Sequence, residues 1–361
     1  MIRLMHAADL HLDSPFAALA PEQAAQRREE QRQLLRRLAE ECVRRNCQLL
    51  LLAGDLFDSD LVYKETAELL REVLGSIRTQ VFIAPGNHDP WSPVSPYATL
   101  PWPENVHIFR SREPEAVRLE EPAVTVWGAA FTGPHAGALL EGFRAPEQDR
   151  PQIMVIHGVL GDPESPYNPI SRETVEASGL DYLALGHIHR SDLQIIGKTT
   201  VVNPGCAMGR GFDETGPKGA VYAELDEEGC RVTQVPLGGR CYESLQVRVE
   251  ADPLAALEAA LPENTESDIY RITLTGSCPP PDLHALRQAL APRFFGLELR
   301  DETLPPAELW QAAEEDSLKG EFLRQLKACY DGDQDEEARR IVVGAARIGL
   351  ALMEGREVPE L

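Results

Sequence analysis

Seven short runs of almost uninterrupted apolar residues punctuate the first 239 residues: QLLLLAGD, VFIAPGN, VTVWGAAF, QIMVIHG, DYLALGH, TTVVNPG and AVYAEL. Runs this short and this continuous read as strands covered on both faces, because a strand with one wet face would alternate. Two longer helical patterns, about Pro21 to Arg45 and Tyr63 to Ile77, lie between them. The alternation predicts an α/β fold. Several runs end in Asp, His or Asn, as does the opening segment MIRLMHAADLHLD. Open α/β sheets place their ligands at the carboxyl ends of strands, so these polar ends are the candidate site.

After Gly239 the texture changes. LQVRVEA, a helical DPLAALEAAL, IYRITLTG, a helical PPDLHALRQALA and FFGLELRDE form a β-α-β-α-β pattern, followed by a proline-bearing TLPPAEL that reads as a linker. The remainder is helical by composition, with an acidic break DGDQDEE at Asp331 to Glu337. Three regions are therefore expected: 1–239 as the main domain, 240–303 as a small α+β accessory domain, and 304–361 as a helical C-terminal region. In the last of these, Ile341, Ala345, Ile348 and Leu352 fall at i, i+4, i+7 and i+11, one apolar stripe that Val342, Val343 and Leu350 widen.

No run approaches the roughly 20 apolar residues of a membrane span, and the N-terminus lacks the layout of a secretory signal, so a cytoplasmic location and no membrane partner are expected. The seven cysteines are scattered and never spaced C-x-x-C, which indicates neither a disulfide framework nor a structural zinc site. The formal charge of −23 argues against gripping nucleic acid by bulk electrostatics, which wants Lys and Arg in excess.

Read at the strand ends alone, the sequence gives Asp9 and His11 in DLH, Asp55 and Asp58 in GDLFD, Asn87, His88 and Asp89 in GNHD, His157 in HG, and His187 and His189 in GHIH. One such histidine would be unremarkable; five such sites, each after an apolar run, point to shared chemistry. That chemistry is a pair of divalent metals about 3.5 to 4 Å apart that clamp a phosphate and activate water, with one carboxylate bridging. Carboxylate, imidazole and amide oxygen suit manganese, iron or zinc. The i, i+2 spacing of Asp9 with His11 and of His187 with His189 puts each pair on one side of an extended segment. His6, His107, His135 and His284 have no motif context and are taken as structural.

In this order, DLH, GDLFD, GNHD, HG and GHIH resemble the five-block signature of the calcineurin-like metallophosphoesterases, whose fold is a sandwich of mixed sheets flanked by helices. HAADLHLDSPF, ALGHIHR and the NPGCAMGRGFDETGPKG segment resemble, more narrowly, the SbcD branch of double-strand-break repair nucleases and its YhaO-type bacterial subgroup. The resemblance implies that Asp9, His11, Asp55 and His189 hold one metal while Asp55, Asn87, His157 and His187 hold the other. It leaves His88 unligated, contacting the scissile phosphate and assisting the leaving oxygen. It further implies a manganese-dependent DNA exonuclease, with endonuclease activity open, whose accessory domain caps the site and whose C-terminal helices dock on an SbcC- or YhaN-like coiled-coil ATPase, and it leaves room for a homodimer. The docking surface expected is the Ile341 stripe; the alternative is that this helix completes its own core. At Asp58 the chain departs from archaeal and eukaryotic relatives, which carry a second active-site histidine there.

Asp13 and Asp89 are read as carboxylates that orient ligands from behind, with a turn cap as the alternative for Asp89. Asp58 is either such a support or a cap for the following helix. Arg172, Arg190, Arg210 and Lys218 lie in loops near the motif ends; Arg190 and Arg210 are the candidate substrate contacts, with Arg190, next to His189, foremost. Two competing readings are a small-molecule phosphodiesterase or phosphoprotein phosphatase with the same clamp, and a non-catalytic scaffold. The full ligand set argues against the scaffold, and the accessory region argues for the nuclease.

Overall fold

The computed structural model describes residues 1–59, 62–147, 150–278, 281–303, 307–332, 335–353 and 355. The chain divides into two units, Met1–Gly239 and Arg240–Leu361. The first unit opens with β1 (Ile2–Ala7), α1 (Pro21–Arg44), β2 (Leu49–Leu52), α2 (Lys64–Gly75), β3 (Gln80–Ile83), α3 (Pro96–Thr99), β4 (Val106–Ile108), β5 (Glu115–Glu120) and β6 (Ala123–Gly128). It continues through β7 (Gln152–His157), β8 (Val159–Leu160), β9 (Pro169–Ile170), α4 (Arg172–Ala177), β10 (Tyr182–Gly186), β11 (Asp192–Ile196), β12 (Thr199–Asn203), β13 (Gly219–Asp226) and β14 (Gly229–Pro236).

Two six-stranded sheets result, ordered β14-β13-β1-β2-β3-β4 and β11-β12-β10-β7-β6-β5. Both are mixed. β1 to β4 run parallel, with β13 antiparallel to β1; β6, β7, β10 and β12 run parallel, with antiparallel β5 and β11 at the edges. The unbroken apolar run LLLL of β2 is explained by its two faces. Leu49 and Leu51 pack between the sheets with Val124, Ile153 and Tyr182, whereas Leu50 and Leu52 pack under Leu34 and Leu38 of α1 and Leu70 of α2. Each such leucine contributes roughly 1.5–3 kcal/mol by leaving water, so both faces hold the strand in place. The outer face of the second sheet is closed by Val175 of α4 and Leu180 over Met154, Ile156 and Leu183.

In the second unit, β15 (Tyr242–Val249), α5 (Pro253–Ala260), β16 (Ile269–Gly276), α6 (Leu283–Leu290) and β17 (Gly296–Asp301) form the β-α-β-α-β pattern read from the sequence, with a three-stranded parallel sheet. Asp252 and Asp282 cap α5 and α6 by accepting from Ala255 N and Ala285 N. A 3-10 segment (Ala307–Glu314), α7 (Leu318–Gly332) and α8 (Glu336–Met353) follow. Residues 304–306, at the heart of the expected linker, and 333–334, in the acidic break, lie outside the described residues.

Helix α8 corrects the single-stripe expectation. Val343 and Leu350, assigned to the docking stripe, are buried with Ala346, and Ala346 and Leu350 pack against Leu323 and Phe322 of α7 and Trp310. Ile341 and Leu352 are 70% and 63% exposed. The helix therefore has two apolar faces, one inside its own unit and one outside. Arg347 sits on the inner face, donating to the carboxylate of Asp301 at 2.6 Å and to Thr303, which ties α8 to the end of β17. Among the described residues no helix is long and apolar enough to cross a membrane.

Candidate metal centre

β1, β2 and β3 end side by side in the first sheet, as do β7 and β10 in the second, and the turns that leave them bring the sequence-predicted residues together. Asp9, His11 and His157 are fully buried and Asp55 nearly so. On one side, His11 Nε2 lies 3.2 Å from His189 Nε2, and His189 Nε2 lies 3.6 Å from Asp9 Oδ1. On the other, Asn87 Oδ1 lies 2.9 Å from His157 Nε2 and 3.0 Å from His187 Nδ1, and those two nitrogens are 3.2 Å apart. Asp55 Oδ2 stands between, 3.3 Å from His157 Nε2 and 4.0 Å from His11 Nε2. The groups are two half-sites sharing one carboxylate oxygen.

The backbone is bent to achieve this. Asp9, His11, Asp55 and His187 have φ of 52°, 44°, 50° and 91°, a left-handed region that costs non-glycine residues about 1–3 kcal/mol each and is tolerated where the surroundings impose it. Gly54 (φ 87°) must be glycine: a Cβ there would lie 2.5 Å from His157 Nδ1. Gly86 is constrained by contact, since its Cβ would meet Asp55 Oδ1 at 2.2 Å.

The remaining atoms of the ligand side chains are occupied in ways that aim the free ones inward. His157 Nδ1 donates to Ala53 O at 2.8 Å, which leaves Nε2 as the donor atom for a cation. His189 Nδ1 meets Glu214 Oε1 at 2.6 Å. His187 N–H donates to both Asp9 oxygens, at 3.1 and 3.0 Å, linking the two sheets. His88 N–H donates to Asp55 Oδ1 at 2.9 Å, so Oδ2 is the oxygen left for the cluster.

Charge and burial set the protonation of this group. Burial works against the Asp55 carboxylate, yet the His157 and His11 imidazoles outweigh it and hold its pKa below the ordinary range. Burial likewise opposes charge on His157 and His189, but Asp55 raises the first and Asp9 with Glu214 the second, each to about 9. His187 is pushed down to about 4 by burial and by the charge on His157. Burial also lowers His11.

Of the three supporting carboxylates read from sequence, Asp89 is the most connected. It accepts from the backbone N–H groups of Asp55 (3.2 Å), Leu56 (2.6 Å), Phe57 (3.1 Å) and Gly86 (2.8 Å) and from the Tyr97 hydroxyl (2.6 Å). Burial and the nearby Asp55 charge raise it to about 6. It fixes the turns that carry Asp55 and Asn87 relative to each other. Asp58 does not cap α2, whose N-cap Tyr63 makes no side-chain bond. Its Oδ1 lies 3.2 Å from His11 Nδ1 and accepts from Ser14 Oγ (2.9 Å) and Arg210 Nη1 (2.8 Å), so it backs His11. Asp13 turns away from the ligands. With φ of 68° it faces α1 and α2, accepting from Thr66 Oγ1 at 2.9 Å and Arg32 Nη2 at 3.4 Å, and it holds those helices rather than a metal ligand.

Arg210, a candidate substrate contact, stands behind the ligands. Its guanidinium spans Asp58 and Glu214, the two carboxylates behind His11 and His189, and its backbone N–H donates to Glu214 Oε2 at 2.7 Å. It braces the ligands His11 and His189 through those two carboxylates. Arg190 is exposed beside His189. Arg172 bonds Gln194 of β11. Glu214 and Tyr97 escaped the sequence reading; the signal for Glu214 was a carboxylate four residues from Arg210 in a glycine-rich loop. His88 is exposed, its ring centroid 4.9 Å from that of His11, and its Nδ1 donates to Asp58 O at 2.9 Å.

Residues 2–191 match the family model described as calcineurin-like phosphoesterase. The chain belongs to that family. It is 35% identical over 241 residues to the uncharacterized metallophosphoesterase YhaO of Bacillus subtilis (strain 168), a match that covers 60% of this chain and 56% of that protein. The chain thus spans little more than half the length of this curated relative. Similar solved structures include a novel archaeal phosphodiesterase (13% identity, TM-score 0.37, covering 65% of this chain and all of that one) and a dimetal phosphatase from Danio rerio (11%, 0.39, covering 66% and 99%). The donor set of this phosphoesterase fits a pair of divalent cations. Facing imidazole nitrogens 3.2 Å apart in both half-sites, with a shared carboxylate oxygen between them, converge as lone pairs do on cations. Three groupings within this cluster have spacing that could hold a metal ion: Asp9 with His11 and His189, Asp55 with His157 and His187, and His11 with Asp55 and the exposed His88.

Proposed function

We propose that this metallophosphoesterase is a manganese-dependent phosphodiesterase that cleaves DNA, the nuclease subunit of a complex with an SbcC- or YhaN-like coiled-coil ATPase. The observation that carries the diester reading is His88, an exposed imidazole at the mouth of the cluster beside His11 and Asp55, with its Nδ1 held by Asp58 O. Asp9, His11, His189 and Asp55 would hold one cation, and Asp55, Asn87, His157 and His187 the other. When bound, such a pair supplies Lewis-acid polarisation of a phosphoryl oxygen and lowers the pKa of water toward neutrality. The protein's own part is positional. The Asp89 hub sets the turns that carry Asp55 and Asn87, the Glu214–Arg210–Asp58 chain backs His11 and His189, and Ala53 O orients His157. His88, whose Nδ1–H donates to Asp58 O, leaves Nε2 for the substrate, and in its doubly protonated form that nitrogen gives its proton to the departing sugar oxygen and is left as the neutral ring.

DNA as substrate is supported by the resemblance to the SbcD branch, and its most telling segment, Asn203–Gly219, is the one that supplies Arg210 and Glu214 to the His189 side. With a charge of −23 the chain alone is a weak DNA binder, and the partner supplies the grip. The outward stripe of α8, Ile341 and Leu352 with Ala345, is the proposed ATPase contact. The test is hydrolysis of end-labelled single- and double-stranded DNA with manganese, beside bis-p-nitrophenyl phosphate. Cleavage of both is expected. Turnover of the small diester or of monoesters alone, with DNA untouched even in the presence of the ATPase, would overturn the nuclease reading.

A further inference from the structure

A second depression lies beside His189. It is a cavity of about 270 Å³ whose lining includes His189, Ser191, Pro204, Lys218, Gln234 and Pro236. Lys218 directly precedes β13, Gln234 lies on β14 and Ser191 directly precedes β11, so three separate segments converge there. The Gln234 amide donates to the Ser191 hydroxyl. No carboxylate lines the cavity. Among the described residues Lys218 is half-buried with no carboxylate partner, whereas Lys64 and Lys198 are paired with Glu68 and Asp181.

In a chain of net charge −23, an acid-free cavity holding an ammonium, an amide and a hydroxyl favours an anion. Its rim is built largely of proline and glycine, which have little side-chain freedom to lose on binding. Position then says which anion. His189 is common to both places: it lines this cavity, and its Nε2 faces His11 and Asp9 of the cluster. An anion held in the cavity therefore neighbours one held at the cluster, with His189 common to the residues that line both.

We propose that this cavity is a subsite for the phosphate adjacent to the scissile one, with Lys218 as its point charge. The inference rests on the phosphodiesterase reading of the cluster and narrows its substrate class to chains of successive phosphodiesters such as a nucleic-acid strand, in preference to isolated diesters.

Calorimetric titration of the manganese-loaded full chain with 2′-deoxyadenosine 5′-monophosphate and 2′-deoxyadenosine 3′,5′-bisphosphate tests it. The wild type should bind the bisphosphate about tenfold more tightly, as one charge-assisted contact allows. Lys218→Ala should bring the bisphosphate to within about twofold of the monophosphate, and Lys218→Arg should keep most of the preference, with melting temperatures confirming that both variants fold. Equal affinity in the wild type, a preference that survives Lys218→Ala, or failure of both nucleotides to bind would overturn the subsite. Failure of the wild type to hydrolyse bis-p-nitrophenyl phosphate or DNA would instead sink the phosphodiesterase reading, and the calorimetric preference is read independently of it.

Discussion

Glu214 is where the account of the supporting side chains is most exposed to test. Its Oε1 accepts from His189 Nδ1 (2.6 Å) and Arg210 Nη2 (3.1 Å), and its Oε2 from Arg210 N (2.7 Å). In Glu214→Gln the amide oxygen can keep the first two contacts, but the NH₂ group then faces the Arg210 N–H, donor against donor. The variant loses the negative charge and one bond. A hydrogen bond to a charged group is worth about 1.5–3 kcal/mol, and loss of such a partner behind a metal-binding histidine typically costs about 10–100-fold in affinity. The lower end, about tenfold, is expected for Gln. Glu214→Ala removes all three contacts and leaves Arg210 paired with Asp58 alone, so the upper end, about 100-fold, applies. Only the cation held through His189 should weaken, because Asn87, His157 and His187 make no contact with Glu214. Chelator-competition titration with manganese resolves the two equivalents. Wild-type affinity for both equivalents in both variants would refute the reasoning, and an equal loss at both would mean that Glu214 maintains the loop fold and not His189.

His88→Ala should keep both cations by elemental analysis and lose about 10²–10⁴ in turnover of DNA, with much smaller loss on a substrate bearing a good leaving group; loss of metal would make His88 a ligand. Because His157 and His189 hold protons up to about 9, and a cation needs their lone pairs, loading both half-sites should release up to two protons per chain near neutrality. Apparent metal affinity should therefore rise with pH, by up to about tenfold per unit for each histidine, and level off above about 9; a flat profile between pH 6.5 and 8.5 contradicts the assignment. On α8, Ile341→Asp with Leu352→Asp should leave the melting temperature and phosphodiesterase activity intact while abolishing co-purification with the ATPase. Removing the whole helix is a poorer test, since it would strand buried Asp301 without Arg347.

What was legible in the sequence follows from where the information lies. The strands of the first unit could be read because covered sheets demand continuous apolar runs, and the ligand positions because each stands at the end of such a strand or within four residues beyond it. Asp13 was misread because proximity in sequence to His11 says nothing of direction; a left-handed φ of 68° turns it toward Arg32 and Thr66. Glu214 was missed because it acts from an aperiodic loop, 25 residues from His189. The bracing role of Arg210 was not legible because one of its carboxylate partners, Asp58, lies 152 residues away and the other, Glu214, four residues on in an aperiodic loop. Helix α8 shows a further limit. Its apolar residues cover two faces, and periodicity alone could not separate the face that packs on Leu323 from the one left outside.

The central claim is that Asp55 bridges two cations, and electron paramagnetic resonance of the manganese-loaded protein tests it most directly. The account predicts two manganese ions per chain with an exchange-coupled spectrum, and in Asp55→Ala a sharp fall in bound metal with any remaining ion giving an uncoupled signal. An uncoupled spectrum from the doubly loaded wild type, or two retained ions per chain in Asp55→Ala, would contradict it.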